Sequence, residues 1–325
     1  MDKPSNNWSN IGREVVMKNY LNLKILLELL LVTTLFSCNQ DRFSLDCKKS
    51  NCKEQHKVSF MGNYAATKST SAFAAGVVCS IFTYYTGENP LIKKSHPETP
   101  ITAVSNLSGK LISSNNSKLY LAPNSYDFYA ISANYSSLIG LTFKMGQSNR
   151  LKNGVDYLWS QKKEIAIYNQ TQVTFNFKHL SSLITVQVNP LIESQKIELT
   201  LVKIGVPDSL QTITLASGKI NPCSKITTPK EKMNLDENRA SYIVLPIQKG
   251  REIPIELNLT LSSSKNIKTE NKYLFSLPSP PNGFEGGTQY KYRVKVGSNK
   301  IVFENTSVES WKKEEVNNIH LSETK

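Results

Sequence analysis

The sequence contains few of the residues and motifs on which catalysis and metal binding usually depend. Its 325 residues include only four histidines, five cysteines and three tryptophans. It has no nucleophile elbow, no glycine-rich phosphate loop and no His-Glu-x-x-His motif, which are the usual signatures of hydrolases, nucleotide-binding enzymes and zinc proteases. We therefore predict that the protein is not an enzyme and that it uses no cofactor and no metal.

Basic residues are numerous but are not clustered. The 39 Lys and Arg residues exceed the 26 Asp and Glu residues, which gives a formal net charge of +13. No run of Lys or Arg is longer than two, and no aromatic-plus-basic RNA-binding signature is present. We therefore expect no nucleic-acid partner. Attraction to anionic cell surfaces or acidic glycans and a solvated basic face without a partner are the two alternatives.

Amphipathic helices of ordinary length are also absent after residue 38, and the apolar periodicity is that of β-strands. Residues Glu252–Leu261 alternate strictly between polar and apolar, and Pro254 indicates that this end lies at a sheet edge or a strand start. Ile184–Val188 and Tyr290–Val296 repeat the alternation. Further candidate strands are Val77–Tyr85, Lys118–Leu121, Tyr126–Ser132, Glu164–Ile167, Val173–Phe177, Lys196–Lys203, Ser241–Leu245, Tyr273–Leu277 and Lys300–Glu304. Short strands separated by Gly, Pro and Asn turns predict an all-β protein built of β-sandwiches.

A break near Asn189-Pro190-Leu191 divides the strand-rich region into two comparable parts. We predict an N-terminal β-sandwich over residues 56–190 and a C-terminal β-sandwich over residues 191–325. Residues 38–55 are predicted to form a polar tether, and the polar and charged character continues to about Ser59.

Residues 17–38 have the layout of a bacterial lipoprotein signal, and Met17 is the expected start. Lys18 and Lys24 provide a basic flank, a mostly apolar run follows over residues 25–36, and Ser37 stands directly before Cys38. The run is too short to span a bilayer comfortably. We predict a signal peptide over residues 1–37 and lipid attachment at Cys38. An ordinary signal peptide cut near the same point is the alternative.

The cysteines after Cys38 allow few disulfide pairings. Cys47, Cys52, Cys79 and Cys223 form at most two disulfides. A local Cys47–Cys52 disulfide is permitted in an oxidising envelope, and free thiols are the alternative. These two cysteines with His56 resemble a metal site, but no partner cluster exists elsewhere, so no zinc site is predicted.

Two ring-bearing residues need a structural and a functional interpretation. Trp159, together with Tyr157, would form a sugar-stacking platform if exposed, but core packing is the preferred prediction. His179 follows an alternating strand and is predicted to be a strand-end residue with satisfied hydrogen bonds.

Several motifs occur in an order that is typical of one protein family. They are Leu119–Asn134, Asn153–Trp159, Val173–Val188, Tyr290–Val296, Ile301–Phe303 and Trp311. In order and spacing they resemble the fimbrillin family, the lipoprotein fimbrial subunits of anaerobic Gram-negative gut and oral bacteria. The resemblance extends from about residue 67 to residue 311.

The resemblance implies a fold, a location and a mode of assembly. It implies two transthyretin-like Greek-key β-sandwich domains, export as a lipoprotein, and residence at the outer membrane and cell surface. It also implies partner subunits joined by donor-strand exchange, in which a strand of one subunit completes the sheet of its neighbour after proteolysis of an N-terminal segment. The corresponding segment here is Tyr64–Phe73, where Lys68 stands in place of the arginine that an arginine-specific protease would cut.

The role within a fimbria stays open between stalk, tip and anchor. The residues after Trp311 are highly charged, which is poor material for a donor strand and favours a tip or anchor subunit, or a surface lipoprotein that does not polymerise. Host or bacterial surface ligands, including glycans, are further expected partners. The competing hypothesis is a surface glycan-binding lipoprotein of a polysaccharide-uptake system.

Overall fold

The computed structural model describes residues 55–65, 71–114, 118–208, 210–263, 265 and 267–311. All of these residues belong to one compact unit. They form strands and connecting turns without a helix, so the predicted all-β fold class is confirmed. Within these ranges, no helix has the length and apolar character needed to cross a membrane.

The described part of the chain contains twenty-two strands. They are β1 (His56–Tyr64), β2 (Ser71–Ala72), β3 (Val78–Tyr85), β4 (Ile101–Ser105), β5 (Lys110–Ser113), β6 (Leu119–Leu121), β7 (Asn124–Ser132), β8 (Phe143–Lys144), β9 (Gln147–Ser148), β10 (Leu158–Ile167), β11 (Thr171–His179), β12 (Ser182–Pro190), β13 (Lys196–Ile204), β14 (Ile213–Thr214), β15 (Lys219–Ile220), β16 (Glu231–Lys232), β17 (Asn234–Asp236), β18 (Arg239–Val244), β19 (Ile253–Ser262), β20 (Lys268–Leu277), β21 (Thr288–Gly297) and β22 (Lys300–Ser310).

The first sheet contains nine strands and closes on itself. Its hydrogen-bonded order is β11-β10-β7-β3-β4-β5-β1-β2, β6 also pairs with β1, and β1 pairs in parallel with β11 to complete the ring. The interior is strongly aromatic, and Tyr126, Phe128, Phe175 and Phe177 are each at most 2% exposed. This sheet encloses the core in which the candidate site lies.

Two further sheets face each other across the largest apolar cluster. One has the order β17-β18-β12-β21-β22 and the other the order β16-β13-β19-β20. The alternation predicted for Glu252–Leu261 is confirmed, because the apolar residues of β19 are buried while its polar residues are partly exposed. Pro254 is the second residue of β19, which agrees with the predicted strand start.

A small fourth sheet and a third apolar cluster connect the two parts of the chain. Strand β9 pairs with β14, so the order β15-β14-β9-β8 joins segments that are far apart in sequence. The cluster beside it combines Phe82, Tyr129 and Trp159 with Ile213 and Leu245. This third cluster therefore contains residues from both parts of the chain.

Two strands, β1 and β12, bear on the predicted domain bounds. Strand β1 begins at His56, the residue at which the N-terminal β-sandwich is predicted to begin, and it lies in register with β11. Strand β12 precedes the proposed break at Asn189-Pro190-Leu191, yet it pairs with β18 and β21 of the later sheet. The division into domains at residues 190 and 191 stays a prediction.

Candidate functional site: the groove that holds β1

Strand β1 is held along both of its edges. It pairs in parallel with β11 over seven residues, from Val58 opposite Thr171 to Tyr64 opposite Phe177. On its other edge it pairs antiparallel with β6, β5 and β2 in turn. A strand with two hydrogen-bonded edges occupies a groove in the sheet, and that groove is the candidate site.

The side chains of β1 alternate between core and surface, as the period of two of a strand requires. Val58, Phe60, Gly62 and Tyr64 are buried, and the residues between them are partly exposed. The ring of Phe60 lies 5.8 Å from that of Phe128 and 5.9 Å from that of Phe175, measured between centroids. Such aromatic contacts stabilise by about 0.5–1.5 kcal/mol each beyond the burial of area. The groove therefore offers β1 a set of apolar pockets at every second position.

The end of β1 joins a buried polar network. The Tyr64 hydroxyl donates to Asn134 Oδ1 at 2.8 Å, and Asn134 Nδ2 donates to Asp156 Oδ2 at 2.7 Å. Nδ1 of His179 lies 2.8 Å from both carboxylate oxygens of Asp156. Burial, together with the negative charge of Asp156, raises the pKa of Tyr64, so its hydroxyl remains a hydrogen-bond donor.

The imidazole of His179 also contacts two aromatic rings. Its centroid lies 6.0 Å from that of Tyr64 and 4.5 Å from that of Trp311, and all these rings are nearly parallel. Tyr64 ends β1, and Trp311 directly follows β22. The network therefore connects the first described strand with the residue that follows the last one.

The family model described as fimbrillin-like matches residues 65–311 of this chain. This chain belongs to the fimbrillin-like family. The match covers most of the sequence and begins directly after β1, so β1 lies outside the matched region while the strands that form its groove, from β2 onward, lie inside it.

Solved structures resemble this fimbrillin-like protein in fold. A candidate cell adhesion protein from Bacteroides uniformis ATCC 8492 matches at 14% identity and a TM-score of 0.58, covering 79% of this chain and 99% of that one. A second from Bacteroides ovatus ATCC 8483 matches at 14% identity and a TM-score of 0.56, covering 80% and 99%. No curated protein matches the sequence. At this level of identity the structures support the fold alone.

The site residues predicted for this fimbrillin-like protein lie outside the described residues. This applies to Cys38, Cys47, Cys52 and Lys68, and their roles stay predictions. Along the chain, Lys68 stands between β1 and β2. Cys79, which is buried, and Cys223, which is partly exposed, are both free thiols. Among the described residues, no group of three or more potential metal ligands occurs.

Trp159 is a core residue, as the preferred interpretation predicted. It is 5% exposed, its indole N–H donates to the carbonyl of Leu215 at 2.7 Å, and the Lys178 ammonium lies 4.6 Å from its ring. A buried ring offers no face to a sugar, so Trp159 is not a glycan-stacking platform. Trp311 is likewise 5% exposed.

Sequence reasoning located His179 correctly at a strand end but missed its partners. Strand β11 ends at His179 as predicted, and the carboxylate of Asp156 is the hydrogen-bond partner of its Nδ1. Asp156 and Asn134 stand 23 and 22 residues from their partners along the chain. No local spacing rule connects residues at such separations, so a lone sequence carries no signal for this network.

Proposed function

We propose that this fimbrillin-like protein is a subunit of adhesive fimbriae, either a structural subunit or an accessory subunit at the tip or the anchor. It assembles by strand exchange in the β1 groove. The observation that carries the proposal is the placement of β1 between β11 and the β5–β6 edge, directly before the segment that contains Lys68. Other fimbrial subunits are the partners.

Removal of β1 would leave a groove that strongly favours a replacement strand. Backbone groups on β11, β5 and β6 would lose their hydrogen-bond partners on β1, and each buried group left unpaired costs about 1–3 kcal/mol. The pockets of Val58, Phe60 and Tyr64 would also open to water, and refilling each pocket contributes about 1.5–3 kcal/mol. Both terms support β-augmentation by a strand of another subunit.

The same proposal assigns roles to the predicted residues of the N-terminal region. Cys38 carries the lipid that holds the protein at the outer membrane on the cell surface. A lysine-directed cut at Lys68 breaks the covalent link between β1 and the rest of the sheet, so that another strand can displace β1. The signal peptide over residues 1–37 and any Cys47–Cys52 disulfide precede this step along the chain.

Mass spectrometry of the mature N-terminus on cells that express the full chain tests these roles. We expect a lipid-modified Cys38 form and a trimmed form that begins after Lys68, with the trimmed form alone in SDS-resistant multimers. Lys68→Ala should remove both the trimmed form and the multimers, because no cut then releases β1. Lys249→Ala, a change of the same kind at an exposed turn residue outside the groove, should leave both unchanged.

Two outcomes contradict the proposal. Multimers built from untrimmed chains would exclude the cut as the trigger of assembly. Recovery of full-length monomers alone, never trimmed beyond Cys38, would argue against polymerisation altogether.

The glycan-uptake alternative is not favoured, because its proposed platform residue Trp159 is buried. A structural role also requires no catalytic group. The His179–Asp156 pair is 8% and 4% exposed and lies in a hydrogen-bond network inside the fold. The partners of this pair among the described residues are other protein side chains, which fits positioning of β1 and not attack on a substrate.

A further inference from the structure

The four buried positions of β1 make different demands on a strand. Val58 and Phe60 lie in the apolar cluster of the first sheet. Gly62 and Tyr64 face more restrictive surroundings. These differences determine which strands the groove accepts.

The third position has little room for a side chain. A Cβ atom on Gly62 would lie 3.2 Å from Cε2 of Phe177 and 3.3 Å from both Cβ and Cγ of Phe73. The Phe73 and Phe177 rings are stacked at 4.5 Å and are at most 1% exposed. Alanine would require these rings to move by a few tenths of an ångström, and the γ-carbons of valine would require them to separate. Close packing therefore selects glycine.

The backbone at the same position is fixed by two hydrogen bonds along the edge that β5 and β2 form. Gly62 N donates to the carbonyl of Gly109 at 2.8 Å, and Phe73 N donates to the carbonyl of Gly62 at 3.1 Å. Phe73 follows Lys68 in sequence and would stay with the body of the protein after a cut there. A strand with a larger residue cannot therefore shift outward without loss of these bonds.

The fourth position recognises a phenol hydroxyl. The Tyr64 ring packs 5.0 Å from that of Phe73, and its hydroxyl supplies the bond to Asn134 Oδ1. Asn134 has φ of 50°, in the left-handed region that Asn tolerates better than most residues, and its amide is oriented by Asp156. Phenylalanine would fill the same space but would remove this hydrogen-bond donor.

We propose that the β1 groove is a selective receptor for a strand that a separate polypeptide chain supplies. This strand runs parallel to β11 and carries, in this order and at alternate positions, a branched aliphatic residue, an aromatic residue, glycine and tyrosine. This inference rests on the proposed strand exchange and specifies its partner. The order of the pockets sets the direction, because an antiparallel strand would place its tyrosine in the Val58 pocket. Gly62 is the only glycine of the printed sequence followed two residues later by tyrosine, so within that sequence β1 alone fits the pattern.

Peptide binding to the cut protein tests this inference. In the full chain, a recognition sequence for a site-specific protease replaces residues 66–70, and the protease cuts the chain there. Excess peptide then exchanges with β1 and removes it from the protein. Fluorescence anisotropy then measures the affinity of labelled 11-residue peptides with the sequence of residues 55–65. Gly62→Val should weaken binding at least about 100-fold and Tyr64→Phe about 10-fold. Ser59→Thr, a change at a partly exposed position, should leave the affinity unchanged within about twofold.

A change in the receptor separates the hydroxyl contact from general packing. Asn134→Gly keeps the positive φ accessible and removes the acceptor. In this receptor the difference in affinity between the native and Tyr64→Phe peptides should shrink, because the hydroxyl keeps its hydrogen bond with the backbone of Ala74 but loses that with Asn134. The Gly62→Val peptide should remain weak. The melting temperature of the uncut variant verifies that it is folded.

The outcomes distinguish the inference from the proposed function. If native and Gly62→Val peptides bind equally, or if the Tyr64→Phe difference in affinity is undiminished in Asn134→Gly, the selectivity is wrong and strand exchange stands. If no peptide binds and the cut β1 never leaves, strand exchange itself is wrong and the inference is overturned with it.

Discussion

At the residue scale, the packing of Trp159 depends on a glycine from a distant part of the chain. Gly218 has φ of +62°, and a Cβ atom there would lie 2.4 Å from Cδ2 of Trp159 and 2.7 Å from its Cε3 and Cγ. Trp159 stands 59 residues earlier in the sequence. The glycine is therefore required for two reasons, a left-handed backbone and contact with the indole face.

Gly218→Ala should lower the free energy of unfolding by about 2–4 kcal/mol, because it combines backbone strain with overpacking against Trp159. Gly250→Ala is the matched control, since Gly250 has φ of +76° and no atom within 4 Å of the added Cβ. We expect it to cost only about 1 kcal/mol. Urea unfolding followed by tryptophan fluorescence measures both values. Equal losses would show that the indole can move aside.

At the element scale, β1 is a strand for which the sequence gives only a weak signal. Its residues alternate correctly, but His56, Lys57 and Ser59 give the segment a polar appearance, and Gly62 weakens the apolar signal. The strand exists because β11 and the β5–β6 edge pair with it. Pairing partners far away in the chain thus outweigh local propensity.

Strands β12 and β22 occupy contrasting positions in one sheet. Strand β12 is flanked by β18 and β21 and buries Val186 completely, whereas β22 lies at the end of the order and leaves Val302 40% exposed. The same substitution therefore has different consequences in the two strands, because only the buried side chain leaves a cavity.

We expect Val186→Ala to destabilise the protein by about 2 kcal/mol and Val302→Ala by less than about 0.5 kcal/mol. Chemical denaturation of both variants under identical conditions provides the comparison. A small effect at Val186 would contradict the central position of β12 in this sheet.

At the scale of the whole molecule, buried tyrosines should limit stability at high pH. Burial raises the pKa of Tyr84 and Tyr129 to about 12, with smaller contributions from nearby groups. Burial likewise raises the pKa of Tyr126, Tyr242 and Tyr292. An unfolded tyrosine loses its proton near pH 10. Above that pH the unfolded state binds fewer protons than the folded state, so the free energy of unfolding falls as the pH rises.

These tyrosines should therefore leave the free energy of unfolding constant below about pH 9. Between about pH 10 and 12 the free energy of unfolding should decline, by up to about 1.4 kcal/mol per pH unit for each such tyrosine. Urea midpoints measured across this range give the slope. Absorbance at 295 nm should show most buried tyrosines ionising together with unfolding and not before it. Ionisation of these rings near pH 10 in the folded protein would contradict their burial.

The cluster that connects the two parts of the chain belongs to this scale as well. Phe82, Tyr129 and Trp159 pack with Ile213 and Leu245, and β9 pairs with β14. The candidate strands read from the sequence include Phe82, Tyr129 and Leu245. Their common cluster brings together chain segments that lie far apart in the sequence.

The sequence by itself determined the class of fold, because alternation such as that of Ile253, Ile255 and Leu257 is a local property with a period of two. It also identified Trp159 as a core residue and His179 as a strand end. Tertiary structure alone decided that β1 fills a groove, that β12 pairs with later strands and that Tyr64 reaches Asp156 through Asn134. These features depend on pairings between residues tens to more than a hundred positions apart, and no local preference of the chain specifies such partners.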